Sequence, residues 1–151
     1  MIIISSCLAG INCKYNGKSN LHPCFEKLLQ SGKAVPICPE QLGGLCTPRN
    51  PAEIIKDNSG EIKIITNNGT DVTKEYFLGA KRALAIAKAL NIKTAVLQSR
   101  SPSCGYGKIY DGSFSKKLIT GNGITAELFI KSGIKVFDSE TYITQFFDNQ
   151  V

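Results

Sequence analysis

Four short apolar runs, over residues 2–6, 34–37, 94–97 and 135–137, alternate with stretches whose apolar positions recur at helical spacing. Runs of this length, β-branched in part and bounded by turn residues, read as strands covered on both faces. Strands separated by helices pair in parallel, because the helix carries the chain back along the sheet. The pattern therefore predicts an α/β fold, one domain over residues 1–151: a mostly parallel open sheet with helices on both faces, in a Rossmann-like three-layer arrangement. In such a sheet ligands bind in the crevice beyond the carboxyl ends of the strands.

Three of the runs lead into cysteines. Residues 2–6 end at Cys7 and residues 34–37 at Cys38, while residues 94–97 precede Ser99-Arg100-Ser101-Pro102-Ser103-Cys104-Gly105-Tyr106-Gly107. Pro36 is awkward in a central strand, so 34–37 is expected at an edge. The Ser/Pro/Gly-rich stretch after 97 favours an irregular loop with free backbone N–H groups, able to hold an anion or present a thiol. Three thiols brought to one rim from segments far apart in sequence are hard to explain as packing.

Between these runs, Leu8 to Gly17 reads as a loop with Asn16-Gly17 as its turn signal. A short helix starts near Pro23, buries Phe25, Leu28 and Leu29, and stops at Gly32. The Gly43–Pro51 stretch holds two glycines and two prolines and reads as an ordered surface loop or lid. Residues 61–66 alternate as an edge strand or hairpin arm. Tyr76, Phe77, Ala80, Ala83, Leu84, Ala87 and Leu90 fall at helical spacing, with Asp71 or Thr73 to cap the start and Asn91 to end it. Residues 110–114 read as a turn, 125–132 as a helix stopped by Gly133, and 141–147 as a final short helix.

No apolar run is long enough for a signal peptide or a membrane span, so the expected setting is the cytoplasm, where thiols stay reduced. Six cysteines (Cys7, Cys13, Cys24, Cys38, Cys46 and Cys104) then point to metal or thiol chemistry rather than disulfides. No C-x-x-C pair occurs, which removes zinc ribbons and thioredoxin-like motifs. The net charge of +6 is spread along the chain without a dense basic block, which argues for a solvated basic surface rather than a nucleic-acid site.

Three thiolates can occupy three corners of a metal centre and leave the fourth open. The centre is either a zinc ion holding a polarised water or a 4Fe–4S cluster with one iron free of protein ligand. Cys7, Cys38 and Cys104 are the candidate ligands, with Cys13 as an alternative. All-thiolate ligation favours the cluster. His22, the one histidine, precedes Pro23 at a helix start and reads as a cap or surface residue. Cys24 fits a buried helix face, and Cys46 belongs to the Gly/Pro loop. Glu40, two residues after Cys38, is the nearest carboxylate for moving a proton; its competing reading is an ion pair with Arg49 or a lysine. Ser101 and Ser103 are candidate donors to a substrate, and Arg49, Glu53 and Lys108 are lesser candidates. A structural zinc module with four cysteines, and a thiol redox sensor with an accessible acidic cysteine, are the alternatives to an enzyme.

Several motifs in order carry a family resemblance. They are Ser6-Cys7-Leu8-Ala9-Gly10 with Cys13-Lys14-Tyr15-Asn16-Gly17, Cys38-Pro39-Glu40 with Gly43-Gly44-Leu45 and Thr47-Pro48-Arg49, Pro51-Ala52-Glu53, Gly69-Thr70-Asp71-Val72-Thr73, and Ser101-Pro102-Ser103-Cys104-Gly105. Together they resemble the bacterial thiouracil desulfidase family, formerly a domain of unknown function. The resemblance implies a 4Fe–4S cluster held by Cys7, Cys38 and Cys104, with Glu40 and Ser101 or Ser103 as catalytic residues. It also implies a thiolated pyrimidine such as 2-thiouracil as substrate, converted to uracil and hydrogen sulfide without net redox change. The chain departs from the family pattern in having Lys14 and Asn16 in place of arginine and aspartate, and Cys46 in place of proline.

Overall fold

The computed structural model describes residues 1–148. In chain order the elements are β1 (Ile2–Ser5), a single 3-10 turn (Ser6–Ala9), α1 (Pro23–Gln30), β2 (Ala34–Ile37), α2 (Pro39–Leu42), β3 (Ala52–Lys56), β4 (Ile62–Thr66), α3 (Thr73–Ala89), β5 (Thr94–Leu97), β6 (Lys108–Tyr110), β7 (Leu118–Thr120), α4 (Ile124–Lys131), β8 (Lys135–Asp138) and α5 (Ser139–Phe146). Four strands form the central sheet in the order β2-β1-β5-β8, every pairing parallel. Two antiparallel hairpins, β3–β4 and β6–β7, stand outside it. This is the mostly parallel open sheet that the alternating pattern implied.

Successive strand residues point to opposite faces, and the core divides accordingly. Ile4, Ala34 and Val96 pack with Phe25 of α1 and with Tyr142 and Ile143 of α5. Ile3, Ala95, Leu97 and Val136 pack with Ala83 and Ala87 of α3 and Phe129 of α4. Helices thus cover both faces. Because β2 and β5 flank β1 on opposite sides, the strand order reverses at β1, and the crevice beyond its carboxyl end is the switch point where such sheets bind ligands.

The local rules hold in several places. Pro36 sits in β2, an edge strand, where its missing N–H breaks no ladder. His22 caps α1, its Nδ1 accepting from the Cys24 N–H at 3.4 Å, with Pro23 in the first turn. Asn91, just beyond α3, adopts φ +51°, the left-handed conformation that ends a helix.

Other expectations are corrected. Ser6 opens the 3-10 turn rather than ending β1, and the following loop starts only after Ala9. Tyr110 closes β6 instead of lying in a turn. Residue 72 rather than 71 or 73 takes the cap position of α3, without a side-chain cap bond; Asp71 instead accepts from the Thr73 N–H and hydroxyl. Along α3 the buried stripe is Tyr76, Ala80, Ala83 and Ala87, whereas Phe77 and Leu90 are exposed. Both exposed residues sit at the rim of the stripe, and the small alanines let α3 lie close to the sheet.

The backbones of the α2 segment and α3 approach each other closely. A Cβ at Gly79 would lie 1.9 Å from the Pro39 carbonyl oxygen, and one at Gly43 would lie 2.0 Å from the Glu75 carbonyl oxygen. Neither position tolerates a side chain, so the glycines let the segment carrying Cys38 and Glu40 seat directly on the first turns of α3. No described helix is long and apolar enough to cross a membrane.

Candidate active site

Beyond the carboxyl ends of β1, β2 and β5 opens a cavity of about 460 Å³. That volume is within the range of small-molecule sites. Cys7 enters from the 3-10 turn after β1, Cys38 from the residue after β2, and Cys104 from the loop after β5. Cys13 lines the cavity as well. Cys46 is exposed and outside it, and Cys24 is buried on α1, its Sγ 2.9 Å from His22 Nδ1. The cavity therefore collects four of the six thiols and no histidine.

Cys13 links two of the other thiols, and Cys7 and Cys38 also meet polar neighbours. Cys38 donates to Glu40 Oε2 at 3.5 Å and lies 3.8 Å from the Cys13 carbonyl oxygen. Cys7 donates to Gln98 Oε1 at 3.7 Å. The Cys13 thiol touches both Cys7 and Cys38. Its contact with Cys38 lowers its pKa, but the contact with Cys7, burial and the charges of Cys7 and Glu40 outweigh this and push it up to about 11. The contact with Cys13, followed by burial and Glu40, pushes Cys38 far up. Burial, followed by Glu40, does the same to Cys104. A raised thiol pKa means a neutral group at neutral pH, so these sulfurs become thiolates when a cation takes the place of their protons. An acidic, accessible thiol of the kind a redox sensor uses is not what Cys13, Cys38 or Cys104 offers.

Glu40 is 9% exposed and lines the cavity. Among the described residues the salt bridges are Arg100–Glu140 and Lys131–Glu127, so Glu40 is not held in an ion pair. Arg49 instead donates to the carbonyl oxygens of Cys13 (3.0 Å) and Cys46 (3.3 Å), tying the Gly/Pro loop to the cavity wall. Glu53 accepts from the N–H groups of Gly112 (3.0 Å) and Phe114 (3.2 Å), pinning the β6–β7 connection over the mouth. Lys108 points away on β6 and is exposed.

The two serines part company. Ser101 lines the cavity, and its Oγ accepts from the N–H groups of Ser103 (3.1 Å) and Cys104 (3.0 Å), leaving its own proton free to donate. Ser103 is fully buried and does not line the cavity, and its hydroxyl pairs with that of Thr125 at 2.9 Å. Gly123 packs against the Ser103 backbone, where a Cβ would lie 2.5 Å from its carbonyl, so α4 presses directly on this loop.

Sequence reasoning passed over Asn20, Gln98 and the Tyr76 hydroxyl, all in the wall. Lys14 donates to Asn20 Oδ1 and Asn20 donates to Gln98 Oε1, both at 2.9 Å, which fixes the amide beside Cys7. Tyr76 was legible only as an apolar helix position. Burial, followed by the Glu40 charge, raises its phenol well above the usual range, so its hydroxyl keeps its proton.

Among the described residues no three His, Cys, Asp or Glu side chains are disposed to hold a single metal ion. Soft thiols without histidine around a cavity of this size have the donor chemistry of an iron–sulfide cluster.

A family model described as 2-thiouracil desulfurase matches residues 2–141, which includes every cavity residue named above. YbbK of Bacillus subtilis (strain 168), described as an uncharacterized protein, is 49% identical over 141 residues, covering 90% of this chain and 93% of that one. Among solved structures the chain is similar to the 4Fe-4S-dependent thiouracil desulfidase TudS (DUF523Vcz), with a TM-score of 0.84 and 39% identity over 93% of this chain and 91% of the other.

Proposed function

The chain belongs to the 2-thiouracil desulfurase family, and from that premise we propose that it removes sulfur hydrolytically from a small thiolated pyrimidine, with Cys7, Cys38 and Cys104 holding a 4Fe–4S cluster. The observation that carries this reading is the convergence of those three thiols, from three strand ends, on one cavity beside an unpaired carboxylate. The resemblance to TudS, itself described as 4Fe-4S-dependent, supports the cluster over zinc. Held by Cys7, Cys38 and Cys104, the cluster would supply Lewis-acid chemistry toward the substrate's sulfur.

The chain's own residues do the rest. Glu40 accepts a proton from the water that adds to the thiocarbonyl carbon. Once Cys38 has become a thiolate it has no proton to donate, and Glu40 Oε2 is then free to accept from that water. Ser101, whose oxygen is already engaged by two backbone N–H groups, keeps its proton and donates a hydrogen bond to the substrate. A C–O bond forms, the C–S bond breaks, and the sulfur leaves as sulfide with the two protons of the water. Thiouracil and water become uracil and hydrogen sulfide, and nothing is oxidised or reduced.

The test is turnover of 2-thiouracil in 18O-labelled water by protein purified and loaded without oxygen. The expected result is uracil carrying one 18O and an equal amount of sulfide, with no electron donor added. Unlabelled uracil, or a requirement for a reductant, contradicts the hydrolytic reading.

A further inference from the structure

Tyr76 is the fourth residue of α3, and its side chain is 4% exposed. Its ring packs with Ala52, Ile54 and Ile64 of the β3–β4 hairpin, which fixes its direction. Yet it also lines the cavity, and among the described residues no hydrogen bond reaches its hydroxyl. Among the described residues no polar side-chain atom in a non-exposed residue is both sealed from solvent and unpaired. The Tyr76 hydroxyl must therefore open into the cavity. The charges that act on it are those of Glu40, Arg49, Cys104 and Cys38, which places it at the thiol end of the site. Of these, Arg49 is already committed to the carbonyl oxygens of Cys13 and Cys46.

The position is also built rigidly. Gly43 and Gly79 hold α2 against α3 at backbone contact, so Glu40 on α2 and Tyr76 on α3 face the cavity from two elements that cannot slide apart. A donor with no partner within the protein, held beside the base that activates water, is the arrangement that stabilises negative charge developing on an oxygen bound to the attacked carbon.

We propose that Tyr76 is a further catalytic residue of this site, its hydroxyl donating a hydrogen bond to the oxygen that water delivers to the thiocarbonyl carbon. The proposal rests on the desulfurising reading above. The bond strengthens as that oxygen takes on charge, so its effect falls on kcat rather than on KM.

The experiment compares wild type with Tyr76→Phe, both loaded with cluster without oxygen, on 2-thiouracil. The expected result is a kcat lower by about 10²-fold in Tyr76→Phe, with KM, iron and sulfide content and melting temperature as in wild type. Equal kcat at equal iron content overturns the proposal and leaves a packing role for the ring. If Tyr76→Phe loads less iron than wild type, 3-fluorotyrosine incorporated at position 76 keeps the ring and strengthens the donor. A changed kcat at full iron content then supports the proposal, and an unchanged one overturns it. Fully loaded wild type that leaves 2-thiouracil intact overturns the underlying reading itself, a result distinct from active wild type beside an equally active Tyr76→Phe.

Discussion

Glu40→Gln lowers kcat on 2-thiouracil by about 10³-fold while the protein keeps its full complement of iron. Glutamine has nearly the same shape, so α2 and the cavity wall are preserved. What is lost is a group that can take a proton from water. The competing account of Glu40 was an ion pair that stabilises the fold, and the structure removes it: Arg49 is occupied by carbonyl oxygens, and the salt bridges of the described residues lie elsewhere. If the carboxylate were structural, Glu40→Gln would lower the melting temperature and leave kcat on the loaded fraction unchanged. Measuring kcat per iron-loaded chain beside the thermal midpoint separates the two outcomes.

Gly79→Ala destabilises the protein by about 3 kcal/mol, which lowers the melting temperature by roughly 10 °C in a chain of this size. The added methyl meets the Pro39 carbonyl oxygen at 1.9 Å and its carbon at 2.8 Å. These are backbone atoms, and they cannot rotate aside as a flexible side-chain end would. Relief requires α2 and α3 to separate, and α2 is the segment that follows Cys38 and carries Glu40. The variant is therefore expected to lose iron on standing as well as stability. Gly32→Ala is the control for a general intolerance of alanine at glycine: Gly32 has φ +69° but nothing within 4 Å of its Cβ position, so only local backbone strain is added. Thermal unfolding of the two variants checks the contrast, and equal midpoints would contradict the role given to the helix contact.

The parts of the fold that were legible in the sequence are those in which local chemistry and global architecture agree. The strand runs, Pro36 at an edge, the histidine and proline at the start of α1, and Asn91 at the end of α3 each express a backbone preference that the tertiary structure also satisfies. The β6–β7 hairpin was missed because its strands are three residues each, and Leu118, Ile119 and Thr120 are all exposed, so no alternation marks them. The α2–α3 contact was missed for a different reason. Gly43 reads as a loop residue and Gly79 as a weak point in a helix; only the pairing of two distant glycines explains either.

The site divides in the same way. Strand-end cysteines lead to a common rim because a parallel sheet gathers carboxyl ends, so the meeting of Cys7, Cys38 and Cys104 was foreseeable. Which serine faces the cavity was not. Ser101 and Ser103 differ only in which side of a tight loop they occupy, and that is settled by Thr125 drawing Ser103 toward α4. Tyr76 was read by its ring alone, since an amphipathic side chain at a helical core position gives no sign of where its hydroxyl ends.

The most direct test of the whole account is iron and acid-labile sulfide analysis, without oxygen, of wild type beside Cys7→Ala, Cys38→Ala, Cys104→Ala and Cys13→Ala. Wild type and Cys13→Ala are expected to hold about four irons and four sulfides per chain, and each of the other three to lose most of both. Full loading in any of those three, or loss confined to Cys13→Ala, would contradict it.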